Sequence, residues 1–183
     1  MKKPLVFVSG NMSKFELTRR YLRYPVIHHK IDLPEIQSLE ARKIVSEKAV
    51  EAHRQLKTPV LVEDTSLVFQ VLGRLPGTYI KWFFEELGNE GICRLLDGYQ
   101  DRSAIAAVCF GYYGGTGKVR FFEARMPGSI AKTPRGTGFG WTPIFIPSGQ
   151  KKTLGEISSR EQDKTAMRRI ALEKLADYLD TIA

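Results

Sequence analysis

The hydrophobic pattern opens with a short apolar run, Leu5–Val8, closed by Ser9-Gly10-Asn11; it predicts a buried strand ending in a tight turn. Lys14–Leu22 follows with Phe15, Thr18 and Leu22 at helical spacing. His28–Leu33 reads as a second strand. Ala41–Leu56 places Ile44, Val45, Lys48, Ala49, Ala52 and Leu56 on one helical face, and Pro59 follows its end. Val60–Val62 is a buried strand that runs into Glu63-Asp64-Thr65.

Beyond Gly77 the pattern predicts a helix with Ile80, Phe83, Phe84 and Leu87 on one face, then a short helix from Asn89 to near Leu96. Ser103–Tyr113 and Val119–Arg125 form a hairpin pattern around Gly114-Gly115. Ile144–Ile146 is a further short strand. Asp163–Ile182 reads as one long amphipathic helix, with Met167, Ile170, Ala171, Leu175, Tyr178, Leu179 and Ile182 inward. Strands and helices mix throughout, with a long antiparallel pair in the middle. The expectation is an α/β fold with a mixed sheet and flanking helices.

Composition narrows the class. With 183 residues, 43% of them hydrophobic and 26% charged, the chain fits one globular domain, 1–183, large enough for a real core. Cys93 and Cys109 lie in apolar stretches and read as buried thiols of a reducing compartment. No apolar run is long enough to span a membrane, and MKKPLVFVSG reads as a strand, not a signal peptide. A cytoplasmic location follows as the expectation. The net charge of +8 favours phosphate-bearing partners. The basic residues are scattered, however, and no nucleic-acid motif stands out, so solvated helix faces or a phosphate-binding cleft explain them better than a polynucleotide platform.

Several segments carry candidate chemistry. Ser9-Gly10-Asn11-Met12-Ser13-Lys14 joins a strand to a helix, where free N–H groups and the helix dipole favour a phosphate; a plain turn with a helix cap fits equally. Glu35, Glu63 and Asp64 lie outside helices. At a strand end such carboxylates either hold Mg²⁺ or turn the chain. Lys48 stands on an apolar helix face and either snorkels outward or points into a site. Lys81 has the same two readings. His28, His29 and His53 make no zinc spacing with the cysteines. The segment Gly138–Pro147, GFGWTPIFIP, is a glycine-flanked aromatic pair able to present flat rings to a flat ligand.

Taken in order, these segments resemble the inosine triphosphate pyrophosphatase, or Ham1, family over nearly the whole chain. Ser9-Gly10-Asn11 with Lys14 is similar to the family's [TS]-G-N-x-x-K opening. IDLPEIQS matches its second motif with Glu35 at the acidic position, and VLVEDTSL its third with Asp64. Lys48 matches the lysine of the intervening helix. LPGTYIKWF supplies Lys81, and PRGTGFGWTPIF matches the aromatic loop. The resemblance implies an elongated mixed sheet with two lobes around a nucleotide cleft, and a homodimer. It implies Mg²⁺-dependent (or Mn²⁺-dependent) hydrolysis of non-canonical purine triphosphates, those of inosine, deoxyinosine and xanthosine, to monophosphate and pyrophosphate. By the same resemblance, Glu35 and Asp64 handle metal and water, with Glu63 as the alternative for the water. Lys48 joins them in catalysis. Ser9, Asn11, Lys14, Lys48 and Lys81 bind phosphates, and Phe139 and Trp141 stack on the base.

The base-reading positions depart from the family. Its FG[YW]DP aspartate is Thr142 here. Its closing E-K-x-x-x-S-H-R is matched by Glu161–Arg168, with Gln162, Ala166 and Met167 in place of lysine, serine and histidine, and Arg168 kept. Thr142, Gln162, Met167 and Arg168 are therefore the candidate base contacts, with Lys164 as a substitute for the missing lysine. A triphosphate pyrophosphatase with altered or broadened base preference is the reading, and a non-catalytic nucleotide-binding protein is the alternative.

Overall fold

The computed structural model describes residues 3–182, the side chains of 164 and 165 excepted, so Lys164 as a substitute lysine lies outside the described residues. The elements run β1 (Leu5–Val8), α1 (Met12–Tyr21), β2 (Val26–His29), α2 (Ala41–Leu56), β3 (Val60–Phe69), β4 (Pro76–Gly77) and α3 (Ile80–Leu95). They continue with β5 (Ser103–Tyr113), β6 (Arg120–Ile130), β7 (Phe145–Pro147), α4 (Ser159–Thr165) and α5 (Met167–Thr181). The described strands form one mixed sheet in the order β2-β1-β3-β5-β6-β7, with β4 pairing β3. β1 is parallel to β2 and β3, while β4 on β3 and β7 on β6 are antiparallel.

The chain divides into two compact units, Met1–Thr65 with Val108–Ala124 and Met167–Ala183, and Ser66–Ala107 with Arg125–Ala166. In the first unit, strand alternation sets the layers. The even-numbered Val6, Val8, Val60 and Val62 pack with Cys109 against Val45, Ala49 and Ala52 of α2. On α1 and α5, which pack together, the buried residues include Thr18 of α1 and Ala171, Leu172 and Leu175 of α5. In the second unit, α3 contains a break at Gly88 (φ 61°, ψ −177°), so the separate short helix read from Asn89 onward is the geometry found. Arg102 ties the end of α3 to the end of β6, donating to the carbonyls of Cys93, Ile130 and Ala131.

Several boundaries differ from the sequence reading, among them the second hairpin strand, which runs on past Arg125 to Ile130. The second strand is Val26–His29, because it can pair only as far as the four-residue β1 beside it. β3 continues through Glu63-Asp64-Thr65 to Phe69. The long C-terminal helix is two helices, interrupted where Ala166 takes an extended conformation (φ −61°, ψ 107°). Both cysteines are free and buried, and burial pushes both thiols up from their ordinary range. No helix among the described residues is long and apolar enough to cross a membrane.

Candidate active site

In the first unit the site is built at the end of β1 and partway along β3 beside it. Asn11 caps α1 from an extended backbone, its Oδ1 accepting from the Lys14 N–H at 3.3 Å. Ser9 Oγ accepts from the Asn11 N–H at 3.1 Å. The cap and the strand-to-helix loop are thus one structure, which is the turn-and-cap reading of this segment.

Glu63 and Asp64 are consecutive on β3, so their side chains leave the sheet on opposite faces. Glu63 faces α1 and α5. Its carboxylate, 1% exposed, accepts from Arg168 Nη1 and Nη2 at 2.9 and 3.0 Å, and Lys14 Nζ stands 3.2 Å away. The Thr65 hydroxyl donates to the same carboxylate at 3.3 Å. Arg168 also lies over the Phe110 ring, 5.8 Å from its centroid. A bidentate arginine pair of this kind, buried, ties up both oxygens of the carboxylate.

Asp64 faces α2. Lys48 reaches it from the apolar side of that helix, Nζ to Oδ1 at 3.7 Å, and the same ammonium is hydrogen-bonded to Glu35 Oε1. Lys48 therefore points into the site. Asp64 Oδ2 is buried and has no hydrogen-bond partner. Burial pushes the Asp64 carboxyl up to about 6, against the pull of Lys48 and Lys14. Among the described residues no three His, Cys, Asp or Glu side chains gather as a metal cage. A two-carboxylate set still suits Mg²⁺, which binds through one or two carboxylates, its own waters and substrate phosphates. The unpartnered Oδ2 is of the hard-oxygen type that would suit such an ion.

The second unit carries the aromatic loop. Phe139 is half exposed, and Trp141 sets its edge against Phe145 at 5.4 Å between ring centroids. Gly140 between them has φ 60°, and its carbonyl accepts from Asn89 Nδ2 at 3.0 Å. Thr142 Oγ1 is buried without a partner, as is Asn89 Oδ1. A Cβ at Gly138 would lie 2.3 Å from Thr142 Oγ1, so the glycine makes room for the threonine. Gln162 donates from Nε2 to the carbonyls of Leu154 and Ile157 at 2.7 and 3.3 Å, so its amide nitrogen braces the chain. Lys81 is largely exposed, stands 3.8 Å from Glu85 and lies over the Trp82 ring. Met167 is buried in the first unit, at the start of α5.

The structure thus joins Lys14, Glu63 and Arg168 in one network and Glu35, Lys48 and Asp64 in another. Lys81, Phe139, Trp141, Thr142 and Gln162 belong to the other unit and join neither within it. Sequence reasoning missed the part of Glu63 as the anchor of Arg168. The apolar run Val60-Leu61-Val62 hides which face each residue takes, and only the placement of α1 and α5 reveals it. Asn89, at the start of the short helix read from the sequence, holds the aromatic loop through its amide nitrogen.

Fold and site together define a mixed α/β protein with a lysine–carboxylate centre beside the end of β1 and on the parallel strand β3. The chain belongs to the Ham1 family, whose model matches residues 5–178. It is 38% identical over 181 residues to the inosine triphosphate pyrophosphatase of Schizosaccharomyces pombe, covering 97% of this chain and 95% of that protein. A HAM1 protein from Coxiella burnetii has the same fold, with a TM-score of 0.83 at 25% identity, covering 98% of this chain and 100% of the other. The Staphylococcus aureus Ham1 protein superposes with a TM-score of 0.79 at 22% identity, covering 99% and 100%. A nucleoside-triphosphatase / dITP/XTP pyrophosphatase from Mycobacterium abscessus gives 0.75 at 24% identity, covering 94% and 98%.

Proposed function

We propose that this protein is a hydrolase, a nucleoside triphosphate pyrophosphatase that releases pyrophosphate from nucleoside triphosphates in the presence of Mg²⁺ or Mn²⁺. The observation that carries the reading is Asp64. It is a buried carboxylate with one uncommitted oxygen, beside two lysines and next to a helix-capping loop suited to phosphates. The activity for which the Schizosaccharomyces pombe relative is named, at 38% identity over nearly both chains, supports the same reaction class.

In this reaction a water oxygen attacks the α-phosphorus, and the bond from that phosphorus to the bridging oxygen of pyrophosphate breaks. Asp64 orients the water and takes its proton, a task suited to a carboxyl raised to about 6. Glu63 is excluded from that task, since Arg168 and Lys14 engage its carboxylate. Lys14 and the Ser9–Asn11 loop meet phosphate oxygens, and Lys48 neutralises charge that spreads in the transition state. Glu35 and Asp64 would hold Mg²⁺, which supplies further neutralisation of the phosphate charge when bound. Phe139, half exposed on its glycine-flanked loop, offers a face for stacking by the base, with Trp141 beside it.

The base preference is altered or broadened. Thr142 presents a neutral hydroxyl without a partner, Gln162 spends its amide nitrogen on backbone carbonyls, and Arg168 is paired with Glu63. Pyrophosphate release from a panel of inosine, xanthosine, canonical and modified-base triphosphates tests this. Turnover of several members within about tenfold of one another is the expected result. Joint Thr142→Asp and Met167→His substitution should shift the preference toward inosine triphosphate. A wild-type protein strongly selective for inosine and xanthosine triphosphates would refute the altered preference. Triphosphate binding with no pyrophosphate release would refute the activity itself.

A further inference from the structure

The Ser9–Asn11 loop is held from behind by a side chain that stands outside the reaction described above. His28 lies on β2, paired in register with Phe7 of β1. Its Nε2 is 2.7 Å from the carbonyl oxygen of Ser9. A carbonyl only accepts, so Nε2 carries the proton in this contact. The imidazole also stacks on Phe15 of α1, with ring centroids 5.0 Å apart and planes 24° apart. The Ser9 N–H donates to the His29 carbonyl at 3.3 Å. Both backbone groups of Ser9 are therefore fixed by consecutive histidines of the neighbouring strand.

This fixes more than one residue. The peptide between Ser9 and Gly10 is planar and trans, so holding the Ser9 carbonyl on one side directs the Gly10 N–H to the other. A Cβ built at Gly10 would meet no atom within 4 Å, so the surroundings of that residue are open. The next links, Ser9 Oγ to the Asn11 N–H and Asn11 Oδ1 to the Lys14 N–H, carry the same orientation into the first turn of α1. Donors aimed before a ligand arrives stabilise its charge without reorganisation at the moment of reaction.

We propose that His28 is a positioning residue that presets the Ser9–Asn11 loop for the phosphate chain of a nucleoside triphosphate, an inference that rests on the function proposed above. The adjacent histidines carry no metal spacing; one of them instead serves the loop as a fixed donor.

Two variants separate the parts of the contact. His28→Phe keeps a ring against Phe15 and removes the donor. His28→Gln restores a side-chain N–H and gives up the stack. The readouts are KM and kcat for pyrophosphate release, binding of inorganic tripolyphosphate in Mg²⁺ by calorimetry, amide exchange at residues 9–12, and melting temperature. His28→Phe should raise KM and weaken tripolyphosphate by about tenfold, the worth of one hydrogen bond. Amide exchange should quicken while kcat stays within about twofold, and His28→Gln should recover most of the affinity. Wild-type affinity in His28→Phe would overturn the proposal. So would equal losses in both variants that track their melting temperatures, because that is a folding effect. Tripolyphosphate affinity is read without turnover. A protein that binds it but releases no pyrophosphate therefore overturns the proposed activity and still decides the role of His28. A wild-type protein that does not bind it overturns both.

Discussion

Asp64 and Glu63 are neighbours with the same acidic chemistry, and the structure gives them opposite duties. Glu63 is neutralised by a bidentate arginine and a lysine, whereas Asp64 keeps a buried oxygen without a partner. Burial raises Asp64 from 3.8 to about 6. The folded protein therefore holds this proton between pH 3.8 and about 6, where the unfolded chain has released it. Stability from this group is full below that window, falls as pH rises through it, and is lost above it. Asp64→Asn, melted in EDTA, should exceed the wild type at pH 8 by roughly 6–12 °C and match it near pH 4. A gap independent of pH would show that the carboxyl is not strained by burial. Pyrophosphate release by the wild type should decline below about pH 6, and more Mg²⁺ should move that decline to lower pH, since metal competes with the proton for the carboxylate.

At the scale of elements, α2 lies on the sheet through close contacts that leave no spare volume. A Cβ at Gly111 of β5 would lie 2.3 Å from Val45 Cγ1 and 3.1 Å from Val119 Cγ1. Gly111→Ala should cost about 1–3 kcal/mol in urea denaturation through overpacking. Adding Val45→Ala should return part of that loss, so the double variant is more stable than the sum of the two singles. Strict additivity would mean that α2 shifts freely on the sheet. This helix was legible in the sequence with its final bounds, Ala41–Leu56, because an amphipathic period of four turns dominates every local competitor. β3 was legible only in its apolar start. Its buried Glu63 and Asp64 break the hydrophobic signal, and they are tolerated because Arg168, Lys14 and Lys48 arrive from distant parts of the chain. The interruption at Ala166 was invisible for the opposite reason: the apolar pattern runs straight through a position that helices accept readily.

For the whole molecule, the identities of Glu35, Lys48, Asp64 and the Ser9–Asn11 loop could be read from motif order, but their connections could not. Pairing of Lys48 with both carboxylates, or of Lys14 with Glu63, depends on which face of the sheet each helix covers. Those pairings bear on the meaning of the net charge of +8. Lys14 and Lys48 are both substantially buried and already paired with carboxylates, so they act at short range. The long-range attraction of a polyanionic triphosphate then falls to scattered surface residues such as Lys118 and Lys152, both exposed. Fields of that origin decay over ~10 Å at 0.1 M salt and over ~3 Å at 1 M. Converting both lysines to glutamate changes the charge by two each, from +8 to +4. At low salt this should lower kcat/KM several-fold with kcat unchanged, as expected for weakened steering. The difference from the wild type should disappear as NaCl is raised toward 1 M. If kcat/KM is instead insensitive to both charge and salt, capture of the substrate is local to the paired lysines, and the basic surface is only a solvated exterior.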